Sequence, residues 1–548
     1  MKNAIVNFIN NSSGATTMRK TFGFNSFEAR PERLNLKTKR VALIVNAVLC
    51  AVLCLWATSE QAKAASFSVN ATTDAVDANV GDGVCDVSLA APGAQCTLRA
   101  AIQEANALGG FDSITVSNAV STINLTIADL FITSSLSITG NGARNTVVQR
   151  AAGAPNFRIF YIQASNATVS ISGITVANGN LGSNDGAGAG FLNNSGSTTL
   201  NLDGVTIRNN NAVASGGGII NVGILNVTNS TINNNSSLQG GGINNNSGTA
   251  NISNSTISDN TATNNGVVGS LGLGGGIINF AAMTLNNVTV TNNAATNESG
   301  GFYDSSVQNC NFRNTIVAGN TAPFDPDFGG VVTSQGNNLI GKSNGANGFS
   351  NGVNGDKVGT NAAPVNAQLG DLQNNGGQTD TRALLSGSPA VDAGNNCVVA
   401  AACAIANPVI ALTNDQRGAG FSRLFGAAVD VGAVELQFVP TAASVTIEGR
   451  VLASRDENGQ SRGIKNARVS ITFPNGEIRT TISSAFGHYQ FTDIPAGEIY
   501  VISVAAKRYH FLENTVIRNI VEDTKDIDFI ADTFARPKTG VGKTSFFE

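Results

Sequence analysis

Hydrophobic and polar residues alternate over short stretches in the middle of the chain, and the alternation recurs. Five segments align without gaps: Val169–Val176, Leu200–Ile207, Leu225–Ile232, Ala250–Ile257 and Met283–Val290. Their starts are 31, 25, 25 and 33 residues apart. The first column of the alignment is Val169, Leu200, Leu225, Ala250, Met283. The third is Ile171, Leu202, Val227, Ile252, Leu285, and the last is Val176, Ile207, Ile232, Ile257, Val290. Ser, Thr and Asn fill most positions between. A period of two marks a strand with one buried face.

The fifth column is Gly173, Gly204, Asn229, Asn254, Asn287. Gly and Asn tolerate a left-handed backbone, so a bend here splits each repeat into two short strands. No hairpin turn joins them. Each must therefore pair in parallel with its counterpart one repeat later, about 4.8 Å away. A third strand per repeat follows Gly188, Gly216, Gly240, Gly274 and Gly300, at Phe191–Asn193, Ile219–Asn221, Ile243–Asn245, Ile277–Asn279 and Phe302–Asp304. The column Asn178, Asn209, Asn234, Asp259, Asn292 is expected to bond along the axis as a side-chain ladder.

A stack of this kind needs covered ends. In Cys96–Asn106, Leu98, Ala101, Ile102 and Ala105 share one helical face and Thr97 is placed as N-cap. The predicted fold class is all-β: a right-handed parallel β-helix with an N-terminal helical cap, followed by a small β-sandwich. The expected organisation is leader 1–64, cap 65–112, β-helix repeats 113–345, helix end 346–440, sandwich 441–534 and a disordered tail 535–548.

Composition narrows the function. Only 13% of the 548 residues are charged. Ser66–Ser444 carries 11 Lys+Arg against 21 Asp+Glu, a net of −10, whereas Val445–Glu548 carries 13 of each sign. No clustered basic face exists, which excludes nucleic acid as partner. Lys37, Lys39 and Arg40 precede an apolar run, Val41–Ala57, and Ala62-Lys63-Ala64 fits a small-x-small cleavage site. Cleavage after Ala64 is expected, giving a secreted or outer-surface protein with no remaining membrane span. An uncleaved anchor is the competing reading. Met18 competes with Met1 as the start. Of the cysteines beyond Ala64, Cys85–Cys96 and Cys397–Cys403 read as short-loop disulfides, and Cys310 as a buried thiol.

The repeat pattern resembles the right-handed parallel β-helix family, and its Gly-Gly-Gly-Ile-x-Asn elements resemble repeats of the polymorphic outer-membrane proteins. Asp77–Asn106 resembles the CSLREA domain, with Ala100 in place of its usual acidic residue. Asn374–Thr379, Ser386–Gly394, Asp415–Gly418 and Asp430–Glu435 are similar, in order, to the choice-of-anchor Q domain, which ends such helices. Thr446–Val451, Gly463–Ile471, Ser483–Phe491 and Ile494–Val501 resemble the carboxypeptidase-regulatory-like (transthyretin-like, Cna-B-type) sandwich. Cross-linked relatives of that sandwich need a first-strand Lys, and Arg450 stands here, so no isopeptide bond is expected.

Chemistry is sparse. Val169–Val290 holds only Asp185, Asp203, Arg208 and Asp259 as charges. Beyond Ala64 the only histidines are His488 and His510. Asp74, Asp77, Asp82 and Asp86 crowd one loop, as Ca²⁺ ligands or as turn formers. Asp415, Arg417 and Asp430 are expected to form an ion pair closing the last coil. Asp325, Asp327 and Asp371 are the acids left to converge from the ends. No catalytic, cofactor or metal residue is assigned. The leading expectation is a non-catalytic, adhesin-like surface scaffold whose partner is extracellular glycan or another surface protein. The alternative is a polysaccharide lyase or glycoside hydrolase, which needs two carboxylates about 5–10 Å apart or a metal-assisted base.

Overall fold

The structure is a computed structural model that describes residues 64–90, 95–182, 186–264, 272–306, 310–343, 348–385, 387–404, 410–437, 444–454, 461–474 and 476–532. Val41–Ala57, Met18, Asp185 and the tail 535–548 lie outside them. All described residues fall in the second of two compact units, 62–548.

Alternation sets the strands and the bends set their grouping. The chain passes in turn through three stacks of parallel strands. The first includes Ser135–Thr139, Thr168–Ser172, Thr199–Asp203 and Ile224–Thr228. The second includes Val147–Arg150, Thr175–Ala177, Thr206–Arg208 and Thr231–Asn233. The third runs from Leu130–Ile132 through Phe160–Ile162, Phe191–Asn193, Ile219–Asn221, Ile243–Asn245, Ile277–Asn279 and Phe302–Asp304 to Phe328–Gly329. This all-β winding is consistent with a β-helix-like fold. Leu200 pairs with Leu225 and Ile207 with Ile232, and every member of the three apolar columns is buried in one continuous core.

The fifth-column bends are left-handed, with φ of 62° at Gly173, 51° at Asn229 and 45° at Asn254. Two repeats depart from the expected split. Thr249–Ser258 and Ala282–Thr291 are single strands that pair Ser253 with Asn286 and Ser255 with Val288, stepping over Asn254 and Asn287.

The column Asn178–Asn292 is a second left-handed corner, with φ of 54° to 61° along Asn178, Asn209, Asn234, Asp259 and Asn292. The continuous ladder expected there runs one residue later, through buried Asn210, Asn235, Asn260, Asn293 and Asn320. The corner residue supplies the bend, and the residue after it carries the buried amide. Asn234 is exposed, so its backbone preference can be tested alone. Asn234→Gly should change stability by no more than a few tenths of a kcal/mol, and Asn234→Val should cost about 1–2 kcal/mol in urea denaturation.

Helix α1 (Leu98–Leu108) packs against Phe111–Val116 and Leu130–Ile132, with Leu98, Ala101, Ile102 and Ala105 buried. Thr97 Oγ1 accepts the Ala100 N–H at 3.1 Å, as an N-cap does. At the other end of the core, Phe349 stands edge-on to Phe312 and Phe328, at 5.5 and 5.2 Å between centroids. The described residues between 365 and 436 do not sit over that end. They run back along the flank of the coils: Thr379 Oγ1 donates to Asn229 O, Asn254 Nδ2 to Asn414 O, and Asn287 Nδ2 to Asp430 O. Two of these contacts are made by side-chain amides of the fifth-column turns, those of Asn254 and Asn287.

The sandwich has its own core, including Ile447, Val451, Val469, Ile471, Phe491, Tyr500, Ile502 and Phe529. One sheet joins His488–Pro495, Ser444–Ala453 and Phe529–Ala531. The other joins Ile478–Ile482, Arg468–Thr472, Glu498–Ala505 and Thr515–Ile520. Within Gly463–Ile471 the strand begins only at Arg468, and Ile478–Ile482 and Thr515–Ile520 are strands outside the four segments that carry the resemblance. Among the described residues, no helix is long and apolar enough to cross a membrane.

Candidate functional site

The flank segment meets the coils along a groove of about 380 Å³. One wall is made by Thr291, Asn292, Gly319 and Gly341, the other by Pro364–Leu369, with Asp327, Lys342 and Arg382 as its charged groups. Arg382 is committed to Asp259, both of whose oxygens lie 3.0 Å from Nη2. Gly341 leaves room for Asp327, whose Oδ2 would lie 2.5 Å from a Cβ at that position.

Asp327 is 1% exposed. Its Oδ1 accepts the Asn320 backbone N–H at 2.7 Å and Asn320 Nδ2 at 3.0 Å. Burial pushes its carboxyl up to about 6, against the pull of those N–H groups and of Lys342. Asp325 is raised by burial as well. Asp371 is exposed on Leu369–Gln373 and does not line the groove. The groove therefore holds one buried acid rather than a pair.

A second group of charges is fully enclosed. Arg423 is 0% exposed and its Nη2 lies 2.8 Å from Glu435 Oε2. Its Nη1 donates to the carbonyls of Gly432 and Ala433. Asp430 accepts the Asp392 and Leu436 N–H groups. Burial pushes Asp430 up to about 6 and Glu435 up to about 7, with Arg423 opposing both. Two buried carboxyls thus share one guanidinium, and burial favours the protonated form of each. The expected Asp415–Arg417 pair forms at 2.6 Å, but Asp430 belongs to the Arg423 group instead, and both groups lie on the flank rather than at the end. Sequence reasoning missed Arg423, because no spacing distinguishes an isolated Arg that faces backbone carbonyls.

The acidic loop is occupied by its own backbone. Asp74 pairs with Arg99 at 2.6 Å and accepts the Thr126 and Ile127 N–H groups. Asp77 accepts from Asn79 and Asp86, and Asp82 from Val84 and Asn79. Among the described residues, no three His, Cys, Asp or Glu side chains converge as for a metal ion. Glu104, 0% exposed, ties down the loop by accepting the Gly81 and Gly83 N–H groups. The Cys85–Cys96 and Cys397–Cys403 sulfurs stand at disulfide distance, 2.05 and 1.99 Å. Cys310 is a buried free thiol. Asp203 and Arg208 are exposed, and His510 contacts Asp532 at 2.7 Å on the sandwich.

No family model and no curated protein matches the chain.

Proposed function

We propose that the chain is a non-catalytic, secreted or cell-surface scaffold built on a right-handed parallel β-helix, with extracellular glycan or another surface protein as partner. The right-handed sense follows from the near-universal hand of parallel crossovers. The resemblances to CSLREA, choice-of-anchor Q and carboxypeptidase-regulatory-like domains support an exported surface architecture, as does the apolar run before Ala64. The observation that carries the non-catalytic reading is the use of the polar positions. Asn amides on the coils bond to one another, as in Asn251 to Asn226 to Asn201, at 2.9 and 2.8 Å. Amides and hydroxyls bind by hydrogen bonding but do not exchange protons near neutral pH.

The competing reading, a lyase or hydrolase, has one observation in its favour: Asp327, whose carboxyl burial pushes up to about 6, and Lys342 line the same groove. Incubation with acidic and neutral polysaccharides, with and without Ca²⁺, separates the two. The scaffold reading expects no sustained release of reducing ends or unsaturated products. Turnover that disappears in Asp327→Asn would replace it with the enzymatic one.

A further inference from the structure

The first apolar column of the repeat continues toward the N-terminus. Through the parallel pairings it runs from Leu225 back to Leu200, Val169 and Leu136, all buried, and then to Asp112. An acid, 0% exposed, thus stands where the following coils place aliphatic side chains. One coil earlier, the strand Ser66–Val69 pairs Ser66 with Ser113 and Phe67 with Ile114, which sets Ala65 opposite Asp112. The Ala65 N–H donates to Asp112 Oδ1 at 2.7 Å, and the Ala65 carbonyl accepts the Ser113 N–H at 2.9 Å. Among the described residues, Asp112 Oδ2 is buried without a hydrogen-bond partner, and no Lys or Arg forms an ion pair with this carboxyl. A buried carboxylate is costly unless a cation meets it. Burial raises the Asp112 carboxyl, and the Ala65 N–H opposes that rise.

We infer that Asp112 is the receptor for the chain's own new N-terminus: removal of the leader after Ala64 turns the Ala65 nitrogen into an α-ammonium that pairs with this buried carboxylate and locks the first coil. Such cleavage, by a signal peptidase, belongs to the exported-scaffold reading, on which this assignment rests. Hydrolysis breaks the Ala64–Ala65 amide bond. Water gives its hydroxyl to the Ala64 carbonyl carbon and its proton to the Ala65 nitrogen. The proton of the new carboxylic acid then passes through solvent to the amine, whose ordinary value is about 8, leaving a carboxylate and an ammonium. The amide nitrogen of the uncut chain offers Asp112 a single donor and no charge. The ammonium offers three donors and a positive charge. One N–H already points at Oδ1, a second reaches the unpartnered Oδ2, and the third meets water because Ala65 is only half-buried. Ala64 is exposed, so its departure uncovers no core. Closure of the first coil is thereby tied to leader removal.

Two chains that both run to Glu548 test this, each released from a cleavable upstream tag. One begins at Ala65, and the other begins at Ala62 and so keeps Ala62-Lys63-Ala64. Hydrogen exchange with peptide-level readout follows residues 65–70 and 111–116 at neutral pH, with 200–260 as internal reference. Opening of the first coil should be at least about tenfold more frequent in the chain that begins at Ala62, because a buried carboxyl without its counter-charge is strongly destabilising. Asp112→Asn keeps the size of the side chain and removes its charge, and Asp112→Leu extends the aliphatic column. In each of these variants the two N-termini should give the same protection, and the Leu variant decides the matter if the Asn variant does not fold. Equal protection of the two parent chains overturns the ion pair. So does a difference that persists in both Asp112 variants, which would assign it to the bulk of the extension. N-terminal sequencing of the exported chain tests the underlying reading separately. A first residue other than Ala65 overturns the expected cleavage and the ion pair together, whereas Ala65 in first place with equal protection overturns the ion pair alone.

Discussion

Arg423→Ala is expected to destabilise the protein by about 3–5 kcal/mol, because it strands a carboxyl in a site that water does not reach. Arg423 and Glu435 are both 0% exposed. The guanidinium reaches Glu435, the carbonyls of Asp430, Gly432 and Ala433, and Asn254 of the coil. Truncation removes these donors together. Glu435 still accepts the N–H groups of Phe425 and Asp430, so it stays in place without a counter-charge. Its carboxyl and that of Asp430 then hold their protons to still higher pH, and the loss is larger at pH 8 than at pH 5. The double variant Arg423→Met with Glu435→Gln removes both charges and keeps one of the two acceptor oxygens, so one of the Phe425 and Asp430 N–H groups loses its partner. It should recover most of the loss, to within about 1–2 kcal/mol of the parent, since replacing both members of a buried pair is often close to neutral. Equal destabilisation in the single and double variants, measured by urea denaturation, would show that the pair acts through packing alone.

The contrast between Arg423 and the coil residues shows what a single sequence can reveal. Leu200, Leu225 and Ile232 were readable as core because a strand has a period of two and the period repeats. Asn229 and Asn254 were readable as bends because few residues adopt positive φ. The buried ladder was displaced by one residue in the sequence reading, since Asn209 and Asn210 are adjacent and identical. Only the chain direction at the corner decides which one turns inward. The flank segment was recognisable as a unit through Asn374–Thr379 and Asp430–Glu435, yet its position was not. Nothing local tells that Gln416 meets Thr231 and Thr256 across roughly 160 to 185 residues of chain. Asp327 is among the acids the sequence offers at the ends, but its company is not legible there, because Asp327 and Lys342 come together with Arg382 only when the segment folds back.

Asn260→Ala should cost about 3–5 kcal/mol, comparable to the loss of Arg423, although it removes no charge. Asn260 Oδ1 accepts two donors from Asn235, its backbone N–H at 3.0 Å and its Nδ2 at 2.9 Å. Its own Nδ2 donates to the carbonyls of Ile232 and Ser258 and to Asn293 Oδ1. All of these groups are buried, so truncation leaves donors and acceptors without water to replace the lost partner, at about 1–3 kcal/mol for each orphaned group. Asn260→Asp separates polarity from packing. A carboxylate still accepts from Asn235, but it turns lone pairs toward three oxygens that need donors. The Asp variant should therefore be worse than the Ala variant at pH 8 and recover toward pH 4, where its protonated carboxyl can donate again. Its carboxyl is raised in the folded state, so stability returns as pH falls. Asn226→Ala is the reference, because Asn226 belongs to the half-buried outer ladder between Asn201 and Asn251, where water can take over; its loss should stay within about 1 kcal/mol. Urea denaturation of the four proteins at pH 8 and pH 4.5 decides it. An Asn260→Asp variant as stable at pH 8 as the parent would mean that the inner ladder has no preferred direction.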